Sequence, residues 1–423
     1  MPTLSPLSSQ APVHPGTLWM EALLEAFAAP SEISESARAL TGLPGRREEA
    51  WRFTDLSLLT QIPPRSLDPA PAHQPALPAP AAHTWRLPLD VLPEGGHKEW
   101  PTGIEPLTGP DLSSHLGRVL GETGMERHWI NQLNHGLAHE VIALRIRPGV
   151  STCLEVVSDT AQRSGVQPHR LLLVVEEGAS LELLQVHRAS GPSLTSIGIE
   201  IHLEKQARLH HALVAQGAPS SVLLAATAVS QAPGSHYSQT SVSWGWGLSR
   251  QEPVILQGAG EATTQLRGLH WVRDGQIADT HSRVCFAGPE GKLNQVHKVI
   301  AEEAGRSVFN GCIQVPRLGQ RTDASQLSRS LLLSDRARID TKPELEIVAD
   351  DVRCTHGATI SRLQDDEMFY LQSRGIAAPQ ASRLLLRSFC QEVLADLPAA
   401  AGVWDPLASL LEEAIQPLSL IHI

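Results

Sequence analysis

Short apolar runs that alternate with polar residues dominate the chain from about residue 139 onward. Segments such as "EVIALRIRPG", "HRLLLVVEEGASLELLQVHR" and "TSIGIEIHLEKQARLHHALVAQ" keep this pattern for 4–8 residues between turn signals, which is typical of β-strands. Small residues recur at Ser151, Ala179 and Ala207, each 28 positions after the last, a spacing that would suit one coil of a solenoid. About 210 residues of short strands without regular helices between them favour a β-solenoid or a large sandwich over a βαβ fold.

Helical periodicity flanks this region on both sides. "TLWMEALLEAF" places Leu18, Leu23, Leu24 and Phe27 on one apolar stripe near the N-terminus. Beyond residue 362, "DDEMFYLQSRG" begins with acidic residues, which favour a helix N-terminus, and ends in glycine, which favours its C-terminus.

A second C-terminal helix is predicted in "APQASRLLLRSFCQEVLADL", with Leu384, Leu385, Phe389 and Leu394 on one face. The sequence therefore divides into an N-terminal helical segment (1–62), a Pro/Ala-rich linker (63–84), a mixed helical region (85–138), the β core (139–362) and a C-terminal helical domain (363–417). The last six residues, "LSLIHI" (418–423), match the translation of a common sequencing adapter and are interpreted as an assembly scar.

Charge and cysteine usage narrow the function classes. The formal net charge of −11 argues against nucleic acid as a main partner, since phosphate binding needs surplus Lys and Arg. No stretch approaches 18 consecutive apolar residues, so no membrane span is expected. Five dispersed cysteines without a CxxC pair, and an N-terminus without signal-peptide features, fit a reducing cytoplasm.

The stretch "ADDVRCTHGATI" (349–360) carries the most suggestive chemistry. If it is a strand, Cys354 and His356 share one face and lie about 7 Å apart along the strand. Thiolate and imidazole bind zinc or cluster iron, but a closed zinc site needs four ligands. Three interpretations stay open: both are core residues, both belong to a stand-alone zinc site, or both form half of a site that another chain completes. No GxxxxGK[ST] loop is present, so the chain has no visible means of hydrolysing ATP.

Three stretches resemble the SufB/SufD family of iron–sulfur cluster assembly proteins, and its SufD branch more closely. They are "REEAWRFTDLSLL" (47–59), the long block from "SVFNGCIQVPRLG" to "DDVRCTHGATI" (307–360), and "DDEMFYLQSRGI" (365–376). One departure from the SufD pattern is Cys285, which stands where a histidine is expected. It puts in doubt any role of the Pro-containing turn that follows.

The resemblance implies a mainly β protein, with a right-handed parallel β-helix flanked by N- and C-terminal α-helical domains. It implies a non-catalytic scaffold subunit of a SufB–SufC–SufD complex, in which SufC is the ATPase. No cofactor would be held firmly by the chain alone, but iron or a transient Fe–S cluster could lie at the SufB interface. The residues that it assigns to that interface are His356 and Cys354, and those that it assigns to SufC docking are Phe369, Tyr370, Leu371 and Arg374.

Other interpretations remain beside this one. Within the family, the chain could be a SufB-like cluster scaffold, although it lacks clustered N-terminal cysteines. An isolated chain could also pair with a second copy of itself. Outside the family, parallel β-helices often carry polysaccharide-active enzymes, but the acidic or basic cluster that such sites require is not evident in the sequence.

Overall fold

A parallel β-solenoid forms the centre of the molecule. The computed structural model describes residues 14–28, 40, 42–70, 76–89 and 100–413. These residues form two nine-stranded sheets, one ordered β1-β4-β6-β8-β10-β12-β14-β16-β18 (sheet B) and the other β17-β15-β13-β11-β9-β7-β5-β3-β2 (sheet A). Because the chain alternates between the sheets, each coil contributes one strand to each. The predicted parallel β-helix flanked by helices is confirmed.

The helices and strands have the following bounds. The α-helices are α1 (Pro15–Ala26), α2 (Gly109–His115), α3 (Arg118–Thr123), α4 (Trp129–Leu137), α5 (Asp365–Ser373), α6 (Ala378–Leu394) and α7 (Pro406–Glu413). The 3₁₀ turns are Glu49–Trp51, Ser57–Gln61, Met125–Arg127 and Ala399–Trp404. The strands are β1 (Thr84–Pro88), β2 (Ile104–Pro106), β3 (Ile142–Ile146), β4 (Ser151–Thr160), β5 (Gly165–Val175), β6 (Ser180–Ala189), β7 (Ser193–Leu203), β8 (Arg208–Gln216), β9 (Val222–Gln231), β10 (His236–Trp244), β11 (Leu248–Gln257), β12 (Thr263–Val272), β13 (Ile277–Phe286), β14 (Lys292–Ala301), β15 (Arg306–Val315), β16 (Thr322–Leu332), β17 (Arg338–Ile347) and β18 (Val352–Ser361).

The strand register explains the spacing of small residues. Ser180 pairs with Arg208, and Arg208 pairs with His236, each 28 residues further along the chain. Ala179 and Ala207 therefore stack above each other at the same corner of successive coils, where both are fully buried. The 28 residues between Ala179 and Ala207 therefore span one coil, as predicted, whereas Ser151 pairs with Ser180, 29 residues on, and lies one position away from this corner.

The interior of the solenoid contains a large apolar cluster and, beside it, a group of buried polar side chains. Leucine, isoleucine and valine side chains from both sheets form the largest buried cluster. Beside it lie fully buried histidines, of which His211 is bonded to Tyr237 (3.0 Å) and His270 to Thr280 (3.1 Å). Burial lowers the pKa of His187 and of His211 to about 3. These rings are consequently neutral near pH 7 and cost less to bury than charged ones.

A buried ion network fixes the N-terminal segment to the outside of sheet A. Arg250, only 1% exposed, lies between Glu252 (2.6 Å) and Asp279 (2.5 Å), and its guanidinium is 3.9 Å from the Trp51 ring centroid. Thr54 donates a hydrogen bond to Asp279. The "WRFT" part of the N-terminal signature therefore supplies the aromatic ring and the hydroxyl that close this network.

The C-terminal helices pack on the outside of sheet B. The Asp396 carboxylate accepts hydrogen bonds from Arg267 (2.8 Å) and Gln265 (3.0 Å), and its backbone carbonyl contacts His210 (2.8 Å). Lys298, nearly buried, pairs with Glu392. Apolar side chains from α6, α7 and the intervening turn fill the space between these polar contacts.

Two helix faces differ from the predicted ones. In α1, Trp19 and Met20 are buried with Leu23, whereas Leu18 is exposed. Trp19 takes this place because its indole N–H donates to the Ile62 carbonyl at 2.8 Å. In α6, Leu384 is exposed because the buried face runs through Ala381, Leu386, Cys390 and Val393.

Two further expectations from the sequence concern membrane-spanning helices and the last six residues. In the part of the chain that the structure describes, no helix is long and apolar enough to cross a membrane. The proposed adapter scar at 418–423 lies outside the described residues. The bounds of the five sequence-based segments stay predictions.

Candidate functional site

Cys354 and His356 lie on β18, the last strand of sheet B. Their register partners on β16 are Ala324 and Gln326, which are both buried inside the solenoid. Side chains of parallel strands in register lie on the same face of the sheet, so Cys354 and His356 point toward the solenoid axis. The predicted alternation along this strand is therefore correct.

The inner face of β18 is nevertheless open to solvent. No described strand pairs with the other edge of β18 or of β17, so the coil that they form has a neighbour on one side only. His356 is exposed and Cys354 is half-buried. Cys354 and His356 are therefore accessible because their coil is the last in the stack. In an earlier coil, the same positions would be core residues.

The environment of Cys354 favours the thiol over the thiolate. Burial raises the pKa of Cys354, and the nearby charge of Asp323 raises it further. Binding of a metal would displace this proton, since the thiolate is the ligand. Among the described residues, no group of three or more Cys, His, Asp or Glu side chains could hold a metal ion. Cys354 and His356 could therefore supply two of the four ligands that a closed zinc site needs.

The edges of this final coil are unusually long and partly apolar. β17 and β18 each present a ten-residue edge, compared with five residues for β1 and three for β2 at the other end. Leu318, Val348 and Ile360 are 74%, 66% and 46% exposed around this end. Uncovered edges of this length are rare in monomeric proteins because their free N–H and C=O groups pair readily with another chain.

A second exposed apolar surface lies on the C-terminal helices. Helix α5 has no buried residue, and Phe369 and Tyr370 are 73% and 58% exposed. Arg374 lies over the Tyr370 ring, 5.2 Å from its centroid, and Leu371 is half-buried. The exposed Leu384 on α6 lies on the same helix pair. We call Phe369, Tyr370, Arg374 and Leu384 the α5–α6 surface.

Sequence reasoning missed the Arg250–Glu252–Asp279 network, because its charges resemble those of any solvent-facing strand. The one available signal was the run "RQE", in which two opposite charges share a strand face.

The unexpected Cys285 is half-buried on the outer face of β13. Burial raises its pKa, while Arg283 opposes that shift.

Comparisons with known proteins give one matching family model and several similar sequences. The family model described as SUF system FeS cluster assembly, SufBD core domain, matches residues 156–389. An iron–sulfur cluster assembly SufBD family protein of Synechocystis sp. is 34% identical over 388 residues, 85% of this chain and 85% of that protein. The iron–sulfur cluster assembly protein SufD of Escherichia coli is 27% identical over 375 residues, 84% of this chain and 85% of that protein. The chloroplastic protein ABCI7 of Arabidopsis thaliana is 36% identical over 242 residues, 56% of this chain and 51% of that protein.

Proposed function

Since the chain belongs to the SufBD family of the SUF system for FeS cluster assembly, we propose that it is the SufD-like arm of an assembly complex. In this complex its final coil pairs with a SufB-type solenoid, and its C-terminal helices bind a SufC-type ATPase. The single observation that carries the proposal is the combination, on one coil, of two uncovered strand edges with the inward-facing Cys354 and His356.

Edge pairing supplies the contact with the SufB-type partner. Addition of a partner strand to β17 or β18 would satisfy the free backbone groups, and burial of Val348 and Ile360 would add an apolar contribution. A second copy of this chain offers the same chemistry, so pairing with itself competes when the SufB-type partner is absent.

The paired ends would bring two half sites together. Cys354 and His356 would then face ligands from the partner across the junction, in a space that both solenoids shield from water. Iron and sulfide are the substrates of this site, and the protein's contribution is to hold a thiolate and an imidazole at fixed spacing. The chain itself is proposed to be non-catalytic with respect to ATP.

The α5–α6 surface is proposed to bind the ATPase. Phe369 and Tyr370 are both exposed, and Tyr370 packs against Arg374 of the same surface. Aromatic anchors are frequent in protein interfaces. Movement of two ATPase subunits, each bound to one arm, would then pull the paired solenoid ends apart and admit substrates. No observation on the described residues favours a polysaccharide-active enzyme instead.

The test is anaerobic co-purification with SufB- and SufC-type partners, followed by cluster formation monitored by absorbance. His356→Ala is compared with His236→Ala, a matched variant because His236 is also an exposed strand histidine but lies four coils from the open end. We expect His356→Ala to abolish cluster formation while the complex stays intact, and His236→Ala to behave as wild type. Wild-type rates in His356→Ala would refute the half site.

A second pair of variants tests the edge. Val348→Asp places a charge on the apolar rim of the open end, whereas Leu18→Asp changes another exposed apolar residue, on α1. We expect only Val348→Asp to prevent pairing with the SufB-type partner, measured by size-exclusion chromatography with light scattering. Normal pairing of Val348→Asp, or loss of pairing in both variants, would contradict docking through this end.

A further inference from the structure

A chain of buried amides lies directly beneath His356. Its register partner Gln326 is only 2% exposed. Gln326 Nε2 donates a hydrogen bond to Gln295 Oε1 at 2.9 Å, and Gln295 Nε2 donates to Ser282 Oγ at 2.7 Å. Because its nitrogen is used in this way, the orientation of the Gln326 amide is fixed, with Oε1 as the remaining acceptor.

The Gln326 Oε1 atom is buried and has no hydrogen-bond partner among the described residues. A buried acceptor without a donor is unfavourable, so one is expected nearby. The next side chain on the same face is His356, one strand spacing of about 4.8 Å away. His356 is the adjacent group that carries an N–H and is not yet bonded elsewhere within the described chain.

We propose that Gln326 is a positioning residue for His356. A rotation of the exposed His356 side chain would let Oε1 accept the N–H of the neutral imidazole, a bond that would fix the tautomer and turn the other nitrogen, with its lone pair, toward the open end. A histidine ligand commonly has its free N–H held in this way, because the bond orients the ring and makes the other nitrogen a better donor. The inference rests on the proposed function for the use of the lone pair, but the hydrogen bond itself does not.

Gly311, across the interior on β15, makes room for this amide. A Cβ at position 311 would approach Gln326 Nε2 to 2.2 Å, Phe309 Cζ to 2.7 Å and Gln326 Cδ to 2.8 Å. The backbone of Gly311 does not lie in the left-handed region, so alanine can adopt it. Gly311→Ala should therefore displace the Gln326 amide, together with the edge of the Phe309 ring, while His356 and Gln326 keep their identity.

The test is the tautomer of His356, read from imidazole ¹⁵N chemical shifts of the isolated ¹⁵N-histidine-labelled chain at a pH where the ring is neutral. His356→Ala assigns the signals. In wild type we expect well-separated shifts of one dominant tautomer. In Gln326→Leu and Gly311→Ala we expect shifts that move toward the average of two exchanging tautomers. Ser328→Ala, which changes the next inward position of the same strand, serves as the matched control and should resemble wild type.

Averaged shifts already present in wild type, or wild-type shifts in Gln326→Leu, would overturn the proposal. Circular dichroism of each variant verifies that the fold is retained, and if Gln326→Leu fails to fold, Gly311→Ala decides. In the reconstituted complex we expect Gln326→Leu to slow cluster formation several-fold, less than His356→Ala does. If the proposed function is wrong, His356→Ala will assemble clusters normally. That result would not affect the tautomer measurement, which tests the hydrogen bond between Gln326 and His356 by itself.

Discussion

Removal of Asp279 should detach the N-terminal segment and destabilise the solenoid. Asp279→Ala leaves the Arg250 guanidinium, 1% exposed, with Glu252 as its remaining carboxylate partner, and also removes the acceptor for Thr54. Loss of one partner of a buried ion pair costs about 3–5 kcal/mol, because the remaining charge stays desolvated. We therefore expect the free energy of unfolding to fall by about that amount.

A matched control lies on the same outer row of sheet A. Asp340 is aligned with Val308, which is aligned with Asp279, but its partner Arg338 is 50% exposed. Surface pairs contribute about 0–1 kcal/mol, so Asp340→Ala should be nearly neutral. Urea unfolding gives the two free energies, and hydrogen exchange of residues 49–54 shows whether the segment is released. Equal losses in the two variants would refute the reasoning.

The same network predicts a characteristic acid response. Burial opposes ionisation of Asp279 and Glu252, but the charge of Arg250 outweighs it, and the pKa of each is lowered to about 2. Their contribution to stability is therefore complete above about pH 4.5 and is lost as the pH falls toward about 2. Asp279→Ala should show a shallower decline in the free energy of unfolding over this window than wild type does.

Three further predictions concern other parts of the molecule. His187 is buried and neutral because burial lowers its pKa to about 3. Protonation of this residue in the unfolded chain should reduce the free energy of unfolding as the pH falls from about 6.5 toward 3, by up to about 1.4 kcal/mol per pH unit. His187→Leu should show a shallower pH dependence in urea titrations, and an unchanged slope would contradict this. Asp396→Ala should loosen the C-terminal helices by about 1 kcal/mol, since the carboxylate is partly exposed, and faster proteolysis between α5 and α6 would reveal it, whereas unaltered proteolysis would count against the anchoring role. Phe369→Ala should weaken binding of the ATPase partner at least tenfold in calorimetry, with Val403→Ala as the exposed apolar control, and equal affinities would exclude the α5–α6 surface.

The alternation of apolar residues was enough to predict the strands, because it derives from local strand geometry, but it left a solenoid and a large sandwich open. The resemblance to the SufB/SufD family was needed to predict the parallel β-helix. The same alternation placed Cys354 and His356 on one face. It could not decide between core and site, since the exposure of that face depends on whether another coil stacks on it. A local pattern of apolar and polar residues does not show whether another coil stacks on that face.

The misplaced helix faces and the missed ion network have a common physical origin. Trp19 is buried because it bonds to a carbonyl 43 residues away, and Arg250 bonds to the Ala50 carbonyl 200 residues away. Helical periodicity treats Leu18 as equivalent to any other leucine, and composition treats Arg250 as a surface charge. Contacts between distant segments decide both cases.

In a solenoid each coil is stabilised by its immediate neighbours, so the coil of β17 and β18 has half the support of those before it. Its backbone amides should exchange with solvent fastest within the sheets, and local opening should begin there. Partner binding would then slow exchange most strongly at Cys354 and His356. Under the proposed function, the spacing of the Cys354 thiol and the His356 imidazole would become fully ordered only upon assembly, so the unassembled chain would bind iron weakly.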